Sequence, residues 1–384
     1  MKVMHFGCGA LGRGLTMFSL INSGCEVYAV DAYDALVDAL RNNNNTYKLF
    51  VQDAEEGNQH QEYQMKEVLS SNRDMDEIKR LLREEIDVIT TSTIQENLIN
   101  VAKIVAEVWN VNDADKKMIL LCENLENASG FFKGLLKECS TSPEQEERLM
   151  KIKIPNTMVD RGCAKNPNDL TEVFTTEFRE IAVDGDIVED TGIKLIPSVK
   201  NIEGIFARKR YLLNTLADSI AFEGIMFNDA GFVEAVLDPR IRNVVLPYME
   251  LVKKSLVAGY GLTKQEVEEW AERYKARLGL NLPEKMPGEA KEESGASRDL
   301  DNVARNMLRK LSREERFVKP LLILIDKCPE IDLTVGYNLI TEIAQREKEI
   351  NGFTKDELLA KLKEMWATDD AGKVLYDEVA KGIA

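Results

Sequence analysis

Three glycines, Gly7, Gly9 and Gly12, form Gly-x-Gly-x-x-Gly directly after an apolar run at residues 2–6. That spacing suits phosphate. The first glycine permits a tight turn, the second lets the backbone approach a pyrophosphate, and the third lets a helix pack closely on its strand. Ala10 and Leu11 fall in the first turn of the helix that must follow. The unpaired N–H groups and positive dipole end of that turn attract the phosphates. A second apolar run, residues 26–30, ends on Asp31. It lies roughly 20 residues on, where a carboxylate accepts hydrogen bonds from an adenosine ribose and repels a 2′-phosphate. Together these residues predict a dinucleotide site that takes NAD in preference to NADP.

A dinucleotide suggests hydride transfer without defining it. Converting an alcohol to a carbonyl also needs a proton acceptor and donors for the developing oxyanion. The segment Arg208-Lys209-Arg210-Tyr211-Leu212-Leu213-Asn214 offers Lys209 for the first task and Asn214 for the second. In an α-helix the two stand about 140° apart and flank one broad face. The alternative is a solvated basic turn, since charge clusters usually lie exposed. Farther on, Arg298, Arg305, Arg309, Lys310, Arg313, Arg316 and Lys319 accumulate in a chain of formal net charge −16. Read as helix, Arg305 and Arg309 share a face, as do Arg309 and Arg316. Such density in an acidic chain suits an anionic group, phosphate or carboxylate. Pairing with neighbouring Asp and Glu is the alternative.

The elements that must position these residues alternate. Strand-like runs at residues 2–6, 26–30, 86–92 and 117–122 are separated by helical periods at 35–40, 74–83, 97–109 and 130–139. This order predicts an α/β fold, a doubly wound parallel Rossmann sheet. Ligands of such a sheet bind at the carboxyl ends of its strands. Those ends carry the glycine loop, Asp31, Thr91 with its neighbours, and Glu123 with Asn124. Residues 47–52 read as a strand and 53–65 as a polar, exposed stretch. Strand character persists over 151–198, and helical periods dominate from Ile202 onward. The expected domains are 1–198, binding the cofactor, and 199–384, mostly helical and carrying substrate and catalytic groups. Thr263 with Glu266, and Thr354 with Glu357, read as capping boxes. Residues 283–297, with almost nothing apolar, are expected to form a mobile loop leading into the basic cluster.

Two domains are the natural expectation for 384 residues. The acidic balance repels nucleic acid. No apolar run approaches a membrane span, and no signal-peptide pattern precedes the strand at residue 2. A cytoplasmic location, with neither membrane nor nucleic acid as partner, is therefore expected. Six cysteines without C-x-x-C spacing read as reduced core thiols. With only His5 and His60 present, no His-rich metal site is expected.

Several blocks carry a family resemblance. They are His5-Phe6-Gly7 through Gly12-Arg13-Gly14, Cys122-Glu123-Asn124, Val159-Asp160-Arg161, Lys209 with Asn214-Thr215, and Arg305 through Ser312 followed by Arg316 and Lys319-Pro320. Over nearly the whole length the chain resembles the polyol-specific long-chain dehydrogenases, the mannitol dehydrogenase family. Within that family it is most similar to the short type acting on a sugar alcohol phosphate. The glycine loop is common to Rossmann enzymes, whereas the last two blocks are specific. The resemblance implies a Rossmann domain followed by a helical domain, with the site in the cleft between them. It implies NAD as cofactor and a small polyol or polyol phosphate as substrate. Lys209 would be the general acid/base; separately, enclosure, the like charges of Arg208 and Arg210 and the oxidised nicotinamide ring are expected to lower its pKa in the cofactor complex. Asn124 and Asn214 would form an oxyanion hole of two amides in place of a metal. Asp160, Arg161, Arg305, Arg309 and Lys310 would contact substrate, and Thr91 and Glu123 the cofactor.

One position departs from the pattern. The family's histidine three residues after the Asn is Ala217 here, followed by Asp218. The implied reaction interconverts a sugar alcohol phosphate and a keto-sugar phosphate. A hexuronate or an unphosphorylated polyol as substrate, or a non-catalytic dinucleotide-binding sensor, are the alternatives.

Overall fold

Five short apolar strands build the central sheet of the N-terminal unit, in the order Glu67–Ser70, Glu26–Asp31, Lys2–Phe6, Val88–Thr91, Met118–Leu121. All neighbours run parallel, with Val3 opposite both Val27 and Val88. This is the α/β Rossmann-type sheet expected from the alternation of strand and helix. The computed structural model describes residues 1–52, 59–125, 127–229, 231–279 and 300–384. The expected mobile loop at 283–297 lies outside the described residues. The chain divides into two compact units, Met1–Ile202 and Glu203–Ala384.

Successive strand residues point to opposite faces of a sheet. Val3, Val27, Ala29, Val88 and Leu120 therefore fall on one side, with Leu15, Leu20 and Leu49. Met4, Phe6, Tyr28, Val30, Ile89 and Leu121 fall on the other. There they pack with residues of the helices Met75–Glu84, Leu98–Val108 and Ala128–Cys139. Both faces are covered, so each strand reads as a nearly continuous apolar run.

Two smaller sheets complete the unit. One has the order Gln59–Gln64, Thr46–Gln52, Glu172–Thr176, Cys163–Lys165, and the other Ser198–Val199, Glu180–Asp184, Thr157–Asp160. The strand Gln59–Gln64 corrects the expectation of a polar, exposed stretch over 53–65. It pairs antiparallel with Thr46–Gln52 and buries Tyr63. His60, Glu62 and Gln64 occupy its outward positions, and two glutamines share the inward face with Tyr63, which hides the strand from a reading based on apolar runs.

The C-terminal unit is helical. Its longest helix, Pro239–Tyr260, opens on an Asp238 N-cap and ends at Gly261 in a left-handed conformation, φ 66°. Thr215–Met226 is buried on nearly every side. Both expected capping boxes are present, at Thr263/Glu266 and Thr354/Glu357. The basic cluster is not one helix. Over 300–310 the chain forms two single turns, Leu300–Val303 and Met307–Lys310, with Asn306 between them at φ 57°. The expected shared helix face of Arg305, Arg309 and Arg316 is thus replaced by a broken backbone. Asparagine adopts that conformation more readily than most residues.

Candidate functional site: a glycine-loop cradle and a cationic cavity

In the first unit each motif glycine meets a separate demand. Gly7 sits at φ +102°, and a Cβ there would lie 2.4 Å from the Ser92 carbonyl oxygen. A Cβ at Gly12 would lie 2.1 Å from the Gly7 carbonyl oxygen and 2.7 Å from His5 Nε2. Gly9 is different. Among the described residues nothing lies within 4 Å of a Cβ placed there. The protein does not require glycine at that point, whereas a ligand approaching the backbone would. The first intrahelical bond runs from Arg13 N–H to the Gly9 carbonyl at 3.1 Å. The N–H groups of Ala10, Leu11 and Gly12 precede it and have no partner along the helix. An anion fits there.

Asp31 ends its strand beside this loop. Its Oδ2 accepts from Cys8 N–H at 2.6 Å and its Oδ1 from Tyr33 N–H at 2.8 Å. The carboxylate therefore also clamps the glycine turn. Each oxygen keeps a further lone pair for a ribose hydroxyl.

His5, part of the block that carries the resemblance but assigned no role there, holds the other side of the turn. It is fully buried, with Nε2 2.9 Å from the Gly7 carbonyl oxygen and Nδ1 2.8 Å from Thr90 Oγ1. A carbonyl only accepts, so Nε2 carries the proton and Nδ1 accepts from the threonine hydroxyl. Burial pushes the imidazole pKa down to about 4. The sequence signal was its place two residues before Gly7, but its partner Thr90 is 85 positions away.

Thr91 is buried at its strand end. Glu123 is 4 % exposed and accepts from Thr93 N–H at 2.8 Å, tying two strand ends together. Burial raises its carboxyl pKa. Asn124 follows and is exposed. Asp160 is buried. Arg161 donates to the carbonyls of Thr176 and Gly14, at 2.9 and 2.5 Å, and lies 4.8 Å over the Phe18 ring.

In the second unit, Lys209–Asn214 is a π-helix. Its hydrogen bonds span five residues, so Lys209 and Asn214 stand one turn apart on the same side. The 140° offset expected for an α-helix does not apply. The flanking arginines are engaged elsewhere: Arg208 lies 3.5 Å over the Trp270 ring, and Arg210 donates to the Glu314 carbonyl at 3.3 Å. Tyr211 Oη–H donates to the same carbonyl at 3.2 Å, and Thr215 Oγ1–H to that of Arg316 at 3.2 Å. These bonds fasten the π turn to residues 314–316, within the basic cluster.

Asn214, Ala217, Asp218, Arg305, Arg309, Lys310 and Arg316 line one cavity of about 350 Å³. Asp218, 4 % exposed, accepts from Lys310 Nζ at 3.0 Å and Arg316 Nη1 at 2.7 Å. Burial raises its carboxyl pKa against the pull of both cations, and burial likewise lowers that of Lys310. Arg309 pairs with Glu315 at 2.7 Å. Four cations thus face two carboxylates, and Arg305 is exposed with no ion pair among the described residues. The cavity is cationic and brings Asn214 together with Arg305, Arg309 and Lys310.

Comparison with known proteins agrees with this architecture. A family profile described as the mannitol dehydrogenase Rossmann domain matches residues 1–196. A mannitol-1-phosphate 5-dehydrogenase of Pyricularia oryzae is 27% identical over 367 residues, covering 94% of this chain and 87% of the relative. One of Aspergillus fumigatus is 25% identical over 397 residues, covering 100% and 97%. In fold, the chain is similar to a D-sorbitol dehydrogenase in substrate-free form, with a TM-score of 0.75 and 14% identity over 99% of this chain and 91% of the other. It is also similar to a Pseudomonas fluorescens mannitol 2-dehydrogenase solved with NAD and D-mannitol, with a TM-score of 0.69 and 13% identity over 100% and 91%. The chain belongs to the mannitol dehydrogenase family.

Proposed function

We propose that this chain is an NAD-dependent oxidoreductase that interconverts a sugar alcohol phosphate and a keto-sugar phosphate, of the mannitol 1-phosphate and fructose 6-phosphate type. One observation carries the reading: Asn214 shares a cavity of about 350 Å³ with Arg305, Arg309 and Lys310. A molecule of that size with an anionic end and a reactive hydroxyl suits both groups at once. The names of the relatives point the same way.

Gly7, Gly9, Ala10, Leu11, Gly12 and Asp31 hold the dinucleotide, which supplies the hydride acceptor in oxidation and the donor in reduction. Thr91 and Glu123 shape the strand ends beside it. Lys209 takes the hydroxyl proton during oxidation and returns it during reduction. Asn214 donates its amide N–H to the developing alkoxide, and Asn124 has the same task. Arg305 and Arg309 hold the phosphate as charge-assisted donors, with Lys310 behind them. Asp218 is unsuited to the base role because both its oxygens already accept from cations.

The test is turnover on a panel of polyols, polyol phosphates and hexuronates with NAD and with NADP. The proposal expects NAD-linked turnover confined to phosphorylated polyols. Equal rates without phosphate would transfer the chain to the unphosphorylated or hexuronate class. Ala217, in the family's histidine position, is the feature favouring a sensor. Tight NAD binding with no turnover on any member of the panel would establish that reading.

A further inference from the structure

A second cavity, also of about 350 Å³, lies wholly within the first unit and away from the glycine loop's residues. Phe18, Asn22, Gln61, Arg161, Glu177 and Arg179 line it. The Phe18 ring carries two guanidinium groups, with Arg161 at 4.8 Å and Arg179 at 4.9 Å from its centroid. Two cations gathered on one ring repel each other, and a cation–π contact does not neutralise their charge. Among the described residues neither guanidinium is matched by a carboxylate in an ion pair. Arg161 is 7 % exposed, and its backbone bonds use Nε and one Nη1 position. Its remaining donors are therefore available to the cavity. Burial above all, with the like charge of Arg179 adding to it, pulls the Arg161 pKa down to about 10. An oxyanion between the two would relieve the repulsion and satisfy planar, forked donors that match its geometry.

We propose that this cavity is a second oxyanion site, taking the phosphate group of a small phosphorylated metabolite between Arg161 and Arg179, with the amides of Asn22 and Gln61 beside it for hydroxyl groups. The site is separate from the cationic cavity of the C-terminal unit, and its existence does not depend on the reaction proposed above. Its wall includes Phe18, on the helical segment that continues from the glycine loop. Arg161 holds the Gly14 carbonyl of that same segment.

The test is calorimetric titration with inorganic phosphate in a background that silences the other anion sites. Saturating NAD fills the glycine loop, and Arg309→Gln weakens the cavity of the second unit. One phosphate-binding event is expected to remain. Adding Arg179→Gln should weaken it at least tenfold, and Arg179→Lys should recover part of the loss. Arg179 is exposed, so the folded state should survive the change, and an unchanged melting temperature without phosphate checks this. No binding in the silenced background, or binding indifferent to Arg179→Gln, would overturn the proposal.

Discussion

The glycine loop and the cationic cavity are both proposed to hold an anion, and they would do so by opposite means. The loop uses backbone. Its donors are N–H groups of consecutive residues, and its shape is dictated by Gly7 and Gly12, where any side chain would strike a carbonyl. The cavity uses side chains from distant segments. Asp218 meets Lys310 across 92 positions of sequence, and the segment behind them is fastened by bonds to the carbonyls of Glu314, Arg316 and Phe317. A backbone site tolerates little change in shape but is indifferent to most side-chain identities. A side-chain site can be retuned residue by residue, which suits the part of an enzyme that chooses its substrate.

Substitutions that separate the two should differ in what they damage. Lys209→Ala has the largest expected effect: a fall in kcat of about 10²–10⁴, the worth of a positioned acid/base. Cofactor affinity should stay near normal, as read by fluorescence titration. Near-normal turnover would place the base elsewhere. Gly12→Ala should act on the loop alone. Overpacking of this kind costs about 1–3 kcal/mol, visible in chemical denaturation, and cofactor binding should weaken about tenfold or more. An unaffected cofactor constant would deny the loop its role. Arg309→Gln should act on the cavity alone. Loss of one charge-assisted contact, about 1.5–3 kcal/mol, corresponds to a rise in KM of roughly tenfold to a hundredfold for phosphorylated polyols. Unphosphorylated substrates should show little change, and an equal loss for both would give the residue a structural role.

The smallest effect concerns His5. Its folded pKa, about 4, lies below the ordinary 6.5, so the native state resists protonation. Stability from the neutral ring is complete above pH 6.5 and is lost as pH falls toward 4. Between pH 7 and 5 the wild-type protein should lose about 1–2 kcal/mol by this route, and His5→Gln should flatten that slope in denaturation curves. An unchanged slope would show that other groups govern it.

The loop was legible because its constraints are local. Spacing and the strand before it carry the message, and Asp31 follows at a fixed interval. His5 was not legible, because its meaning depends on Thr90, which only the parallel register brings alongside. The strand Gln59–Gln64 was hidden because Gln59 and Gln61 stand on the inward face where apolar residues are expected. In the cavity, grouping Arg305 with Arg309 was sound, but the reason offered was not. They meet across a helix broken at Asn306 rather than along a continuous face. Lys209 and Asn214 were singled out by residue type, while their geometry was misjudged. Composition gives no sign of a change from four-residue to five-residue hydrogen bonding.

That change bears on how such chains should be aligned. A π turn is an α-helix that has absorbed one extra residue. Losing one residue between Lys209 and Asn214 would return the segment to ordinary helix and leave the pair four apart, again neighbours on one face. A search pattern that fixes their interval at five would discard chains that had undergone that deletion yet kept the same two groups side by side. The segment should therefore be compared with a one-residue gap allowed inside it.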